Sequence, residues 1–336
     1  MARGIDKAPA RSETSILLEV SALVRRNMGE HERGDVEVPG ETIGYELCTI
    51  DARSDQQRER DTHRGRPDGN IMVVVPGHGQ TIHGPKKLVA TAALMSRSRI
   101  AWCVDTAPAK GGDRTEAQAI ARVVKENIST TFPDMEEPIA ATLIGWSHGG
   151  SQALLGAEFA PDLFPQFLGV CSTGLVDRQS LELLYSFFLE ATRILWASVR
   201  RRDWTCLKDT LRVGWNAGVG LIRDLWNTKS LRRLTEDIGW AARNVTSSPF
   251  GYTGEVVLLF GAQDTVMRWR DLFPGCDRPQ DIPKFLPAYQ EKNFPLASRV
   301  EVQVVEGDHV APETDAPSFL QTGLSLLQQL DEQGNG

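Results

Sequence analysis

Residues 145–150 read Gly145-Trp146-Ser147-His148-Gly149-Gly150. A serine hydroxyl is a poor nucleophile at neutral pH and becomes reactive only beside a base. The chain has six histidines: His31, His63, His78, His83, His148 and His309. Only His309 lies more than one residue C-terminal to Ser147, in VEVQVVEGDHVAPE, where a strand-like run ends in a short polar turn. A histidine base in turn needs a carboxylate to hold its tautomer and stabilise the imidazolium. Asp264, just past the apolar run of VVLLFGAQDTV, ranks first. Asp308 is adjacent to the histidine, where side chains rarely meet in this geometry, and Asp271 and Asp281 lie further from a strand end. Alone, Gly-x-Ser-x-Gly is a weak pattern, and a turn serine is its simplest account.

The surroundings of the serine strengthen the chemical reading. PIAATLI before it reads as a buried strand, and SQALLGAEFA after it as a helix. A serine held strained at such a turn projects its hydroxyl above a sheet, and the flanking glycines let strand and helix approach. The same alternation runs through the chain. NIMVVVPGHGQ, RIAWCVDTAP, PIAATLIGWS and QFLGVCSTG read as strands, with KKLVATAALMSR, TEAQAIARVVKENI and GGSQALLGAEFA as helices between them. Strands this apolar are buried on both faces, so the expected class is α/β, with a mostly parallel central sheet flanked by helices. The strand rhythm stops near residue 178 and resumes with GEVVLLFGAQD and RVEVQVVEGDH, before APSFLQTGLSLLQQL closes the chain as a helix. Between, Leu184, Phe187, Phe188, Ala191 and Leu195 form a helical stripe.

Four parts follow: an N-terminal helix and extension (1–35), a first core half (36–177), a helical insertion (178–245) and a second core half (246–336). The first part carries an amphipathic helix over 13–29, with Ser12 as its N-cap. DVEVPGETIGYELCTI reads as two strands around a Pro-Gly turn. Residues 51–70, dense in charge and almost free of apolar side chains, read as an exposed loop. The stretch 269–299 between Asp264 and His309 carries five prolines and reads as partly irregular.

Composition narrows the partners. With 37 Lys and Arg against 44 Asp and Glu the net charge is -7, which argues against nucleic acid, since phosphate neutralisation needs a concentrated basic surface. The five cysteines include no CxxC pair, which argues against a disulfide framework or zinc knuckle and fits a reducing compartment. There is no signal-peptide layout, and no run reaches the roughly 18 apolar residues of a membrane span. A cytoplasmic protein is expected, with no metal and no organic cofactor.

The order Ser147, Asp264, His309 resembles that of α/β-hydrolase-fold proteins, over roughly residues 36–330. The resemblance implies a serine elbow, an acid after a later strand and a histidine after the last strand. It also implies an oxyanion hole. One donor would be the backbone N–H of His148, the other that of His78 or Gly79 in VVVPGHGQT, where Pro76 replaces a frequent histidine. In this family an insertion placed like 178–245 forms a cap over the site. Five of the eight tryptophans lie there: Trp196, Trp204, Trp215, Trp226 and Trp240. Each could simply be core, but as a set one or two are expected at the pocket. Trp196 and Trp215, with Trp146 and His83, are the candidate substrate contacts.

The expected activity is hydrolysis of a carboxylic ester or thioester with an apolar or aromatic portion, through an acyl-enzyme on Ser147. An acyltransferase, a C–C hydrolase, a lyase, or a silent ligand-binding protein could use the same fold. A cap dipping into a membrane surface, through Arg200, Arg201 and Arg202 beside Trp204, is a weaker reading than a solvated arginine face.

Overall fold

A computed structural model describes residues 13–26, 31–77, 82, 84–133, 135, 138–201, 239, 242–246 and 250–334. Its centre is an eight-stranded sheet in the order β1-β2-β4-β3-β5-β6-β7-β8. The strands are β1 His31–Val38, β2 Glu41–Asp51, β3 Ile71–Val75, β4 Ile100–Thr106, β5 Ala141–Trp146, β6 Gln166–Val170, β7 Glu255–Gly261 and β8 Arg299–Val305. The β1/β2 hairpin turns at Gly40, whose φ of 93° suits glycine. β1, β2 and β4 pair antiparallel. Every pairing from β4 through β3 to β8 is parallel.

The apolar strands face two cores. Ile71, Val73 and Val75 enter one hydrophobic cluster, Met72 and Val74 the other. Val256 and Leu258 alternate with Val257 and Leu259 in the same way. The first cluster is closed by α4 Asp113–Thr131 and α5 Gly149–Phe159, through Ile120 and Leu154. The second is closed by α1 Glu13–Arg26 and α3 Lys86–Met95, through Leu23 and Leu88. Period-two side-chain alternation on a sheet covered on both sides leaves no polar face, hence the unbroken apolar runs.

Two regions differ from the sequence reading. Residues 51–70 are not simply loop: Asp55–Arg64 forms helix α2. No apolar stripe marks it. Ser54 accepts from the Gln57 N–H at its start, and Gly65, with φ 65°, closes its end by donating to the carbonyls of Asp61 and Thr62. Arg53 bridges Asp51 at 2.9 Å and the buried Asp61 at 3.1 Å, so ion pairs and caps do the work that apolar burial does elsewhere. Between β7 and β8 the proline-rich segment is also more ordered than expected, with α7 Trp269–Leu272, a 3₁₀ turn Pro279–Asp281 and α8 Ile282–Asn293.

Between β6 and β7 lies α6 Ser180–Arg201. Leu183, Ser186 and Glu190 form its buried face, and Leu181, Tyr185, Phe188 and Trp196 its exposed one. Of the rest of the expected insertion, 202–238 and 240–241 are outside the described residues, as is the proposed cap Ser12. After β8 come α9 Ala311–Thr314 and α10 Ala316–Gly334, the latter packing Phe319 and Leu320 into the second core. Among the described residues no helix is long and apolar enough to cross a membrane.

The β5–α5 turn is the tightest approach at the carboxyl edge. A Cβ on Gly149 would lie 2.3 Å from the Pro76 carbonyl oxygen and 2.4 Å from that of Val75. Backbone cannot yield as a flexible side chain can. Gly149→Ala should lower the urea midpoint by an amount corresponding to about 1–3 kcal/mol, while a substitution at Gly40, where a Cβ meets nothing within 4 Å, tests only the cost of its φ.

Candidate active site

In parallel strands the carboxyl ends share one edge, where an open α/β sheet carries its site. Ser147 follows β5 directly. Its φ is 52°, a left-handed conformation that a non-glycine residue adopts at a cost of about 1–3 kcal/mol. The surroundings impose it. The Ser147 N–H donates to the Val170 carbonyl at 3.1 Å, and the Ser147 carbonyl accepts from the N–H groups of Gly150 (2.9 Å) and Thr173 (3.0 Å). The hydroxyl is thereby lifted above the sheet, against Gly77, where a Cβ would stand 3.1 Å from that of Ser147.

Asp264 follows β7. Its Oδ1 accepts the N–H groups of Val266 and Met267, both at 2.8 Å, which turns Oδ2 toward His309. His309 follows β8. Its Nδ1 lies 3.0 Å from Asp264 Oδ2 and its Nε2 lies 2.9 Å from Ser147 Oγ. With Asp264 ionised, Nδ1 carries the proton and donates it, leaving Nε2 to accept from the serine. All three side chains are buried, at 4–5% exposure. Asp308, Asp271 and Asp281 make no bond to the imidazole in this arrangement, and Asp308 Oδ1 instead accepts the Val310 N–H at 3.1 Å.

No protein-family model matches the sequence, and no curated protein does. Solved structures do. A membrane phospholipase A, described as a bacterial virulence factor, superposes with a TM-score of 0.51 at 14% identity, covering 95% of this chain and 92% of that one. An esterase from Thermogutta terrifontis gives 0.51 at 12% identity, with 89% and 98% covered. An enol-lactonase from Burkholderia xenovorans gives 0.51 at 13% identity, with 88% and 100% covered.

The chain has the α/β-hydrolase fold.

Within this α/β-hydrolase fold the other expected site residues fall in different places. His148 stands at the head of α5 and is buried, its Nε2 3.7 Å from Asp113 Oδ1. His78, Gly79 and His83 lie outside the described residues, as does Trp215. Trp196 is on α6 and 71% exposed. Trp146 is not at a substrate surface: it is 2% exposed, packed in the second core, and its indole N–H donates to the His309 carbonyl at 3.2 Å. Alternation explains this. The strand residue before the elbow points beneath the sheet edge while Ser147 turns above it.

Sequence reasoning also missed Glu190. Its Oε1 accepts the His309 backbone N–H at 3.2 Å, and its Oε2 accepts the Thr265 N–H at 3.2 Å and the Thr265 hydroxyl. A carboxylate at 190, in helical register with the buried 183 and 186, was the available signal. Glu313 is equally buried and accepts the N–H groups of Lys87 and Leu88, capping α3 from the histidine side.

Burial alone would lower the His309 pKa. The carboxylates of Asp264, Glu190 and Asp308 outweigh it, and the imidazole stands above its ordinary value. Burial also pushes Cys171, beside Asp264, well above the usual thiol range. Cys171, Asp264 and His309 offer ligand atoms within 4.8 Å of one another, but Asp264 and His309 already bond to each other and the thiol holds its proton, a poor set for a metal. Trp146→Phe keeps the apolar bulk and leaves the buried His309 carbonyl without its indole donor. It should cost about 1–3 kcal/mol in chemical denaturation, with Ser147 and Asp264 untouched.

Proposed function

We propose that this protein is a serine hydrolase that cleaves a carboxylic ester or thioester with an apolar or aromatic portion. The observation that carries the reading is the pair of bonds on His309, 2.9 Å to Ser147 Oγ and 3.0 Å to Asp264 Oδ2. A fold shared with a solved esterase and an enol-lactonase supports it, and the five tryptophans of the 178–245 insertion support the apolar or aromatic portion.

In the proposed reaction Ser147 Oγ attacks the carbonyl carbon as its proton passes to His309 Nε2. Asp264 holds the imidazole orientation and stabilises the imidazolium. The negative charge on the former carbonyl oxygen is met by the backbone N–H of His148, at the positive end of α5, and by a donor from the turn after β3, where His78 or Gly79 is the candidate. His309 then gives its proton to the departing alkoxide or thiolate as the carbon–oxygen or carbon–sulfur bond breaks. Water repeats the sequence on the acyl-enzyme and returns the proton to Ser147. The strained φ of Ser147 and its three backbone bonds fix the nucleophile before substrate arrives.

A fluorophosphonate probe tests this. The wild type should label at one serine, and Ser147→Ala and His309→Ala should not label. Asp264→Asn should retain fold but lose about 10⁴-fold in kcat on a p-nitrophenyl ester. Because His309 must be neutral to take a proton and its pKa is raised, activity should fall as pH drops, with the midpoint of that limb above that of an ordinary imidazole. Absence of labelling in the folded wild type would overturn the reading.

A further inference from the structure

Three carboxylates surround one imidazole, and the hydrolase reading uses only Asp264. Glu190 comes from a different element, α6, and is 3% exposed. Its two oxygens divide between two loops. Oε1 takes the backbone N–H of His309, and Oε2 takes the N–H and hydroxyl of Thr265, the residue after Asp264. Arg193 of the same helix reinforces the second attachment, donating to Glu190 Oε1 at 2.9 Å and to the Gln263 carbonyl at 2.6 Å, and Arg178, in the segment leading into the helix, donates to the Val266 carbonyl. On the far side the His309 carbonyl is held by Trp146. The histidine backbone is therefore gripped at its N–H from α6 and at its C=O from β5.

We infer that Glu190 is a positioning residue: from α6 it holds the loops bearing Asp264 and His309 in register, so that the Ser147–His309–Asp264 chain is complete only while α6 is seated on the sheet edge. The inference rests on the hydrolase reading for its effect on turnover. Its geometry stands independently. A carboxylate is suited to this place because both of its oxygens can accept, and the site offers only donors: two backbone N–H groups, one hydroxyl and one guanidinium. Glutamine fits less well, because its NH₂ end would face donors whichever way it turned. The charge has a second consequence. Glu190 and Asp308 join Asp264 in favouring the imidazolium; Arg193 pairs with Glu190 at 2.9 Å and acts on Asp308, and burial holds the Cys171 thiol well above its usual range.

The test follows the pH dependence of fluorophosphonate labelling, together with the ¹⁵N titration of the His309 imidazole, assigned by its loss in His309→Ala. Glu190→Gln should label about ten-fold or more slowly, with both midpoints moved to lower pH by roughly half a unit. Arg193→Ala keeps Glu190 and removes its neutralising partner, so its midpoints should move to higher pH. Phe188→Ala, on the exposed face of α6, should change neither. Equal midpoints in wild type and Glu190→Gln overturn the inference. If Glu190→Gln does not fold, Arg193→Ala decides, and an unmoved midpoint there overturns it. A wild type that fails to label, but whose His309 titration shifts in Glu190→Gln as expected, rejects the hydrolase reading and leaves the positioning role standing.

Discussion

A single imidazole must face two partners on opposite edges of its ring, at 2.9 and 3.0 Å, without freedom to choose between them. Among the described residues, the turns after β5, β7 and β8 each carry bonds that serve that requirement. The ring cannot be fixed by its own side-chain bonds alone, because both partners sit on turns that could drift. It is fixed through its backbone, by Trp146 from β5 and Glu190 from α6. The partners are fixed in the same manner. Two N–H groups aim Asp264, and three backbone bonds hold Ser147 in a conformation it would not adopt free. Each functional atom is thus placed by polar bonds to main chain, and the main chain is placed by strands with apolar cores on both faces. The loops themselves are joined: Gln263 Oε1 accepts the Gly307 N–H at 2.7 Å, which ties the turn after β7 to the turn after β8.

This hierarchy explains what could be read from sequence. The strands were legible because a sheet covered on both sides demands unbroken apolar runs, as in IMVVV and EVVLLFG. Ser147 was legible as a candidate because its glycines stand between a strand-like and a helix-like run, and Asp264 and His309 because each follows a later strand-like run in the order the α/β-hydrolase resemblance implies; the structure brings the three side chains together. Asp264 was separable from Asp308 because adjacent residues on a strand end diverge, and the structure turns Asp308 to its own backbone. The positions of polar anchors were not legible. Helix α2 has no apolar period, and its caps and Arg53 network involve few residues whose pairing only the fold creates. Trp146 is expected as a substrate contact, yet strand alternation packs its ring into the second core. Glu190 sits in a helix whose sequence pattern is dominated by apolar and aromatic residues, although a carboxylate on a buried stripe needs a partner wherever it occurs.

The crowding of carboxylates has a chemical logic of its own. A base works best when its pKa lies near the operating pH, where it is both available and strong. Burial pulls His309 away from that point by disfavouring the imidazolium, and a single aspartate would have to correct this alone. Glu190 and Asp308 share the correction, so in the proposed reaction an imidazolium formed by proton transfer from Ser147 would be met by a field already in place. In that reaction the protein would not have to reorganise as charge appears. Burial therefore serves the site twice over. It keeps water from Asp264 and His309, so their mutual bond is not diluted by solvent, and it makes the surrounding charges count for more. The same burial makes an unpaired acid costly, which is why each of these carboxylates is bonded to backbone N–H groups. Those bonds secure the loops. The electrostatics that tune the base and the hydrogen bonds that position it are carried by the same few oxygens, so neither can be altered without disturbing the other.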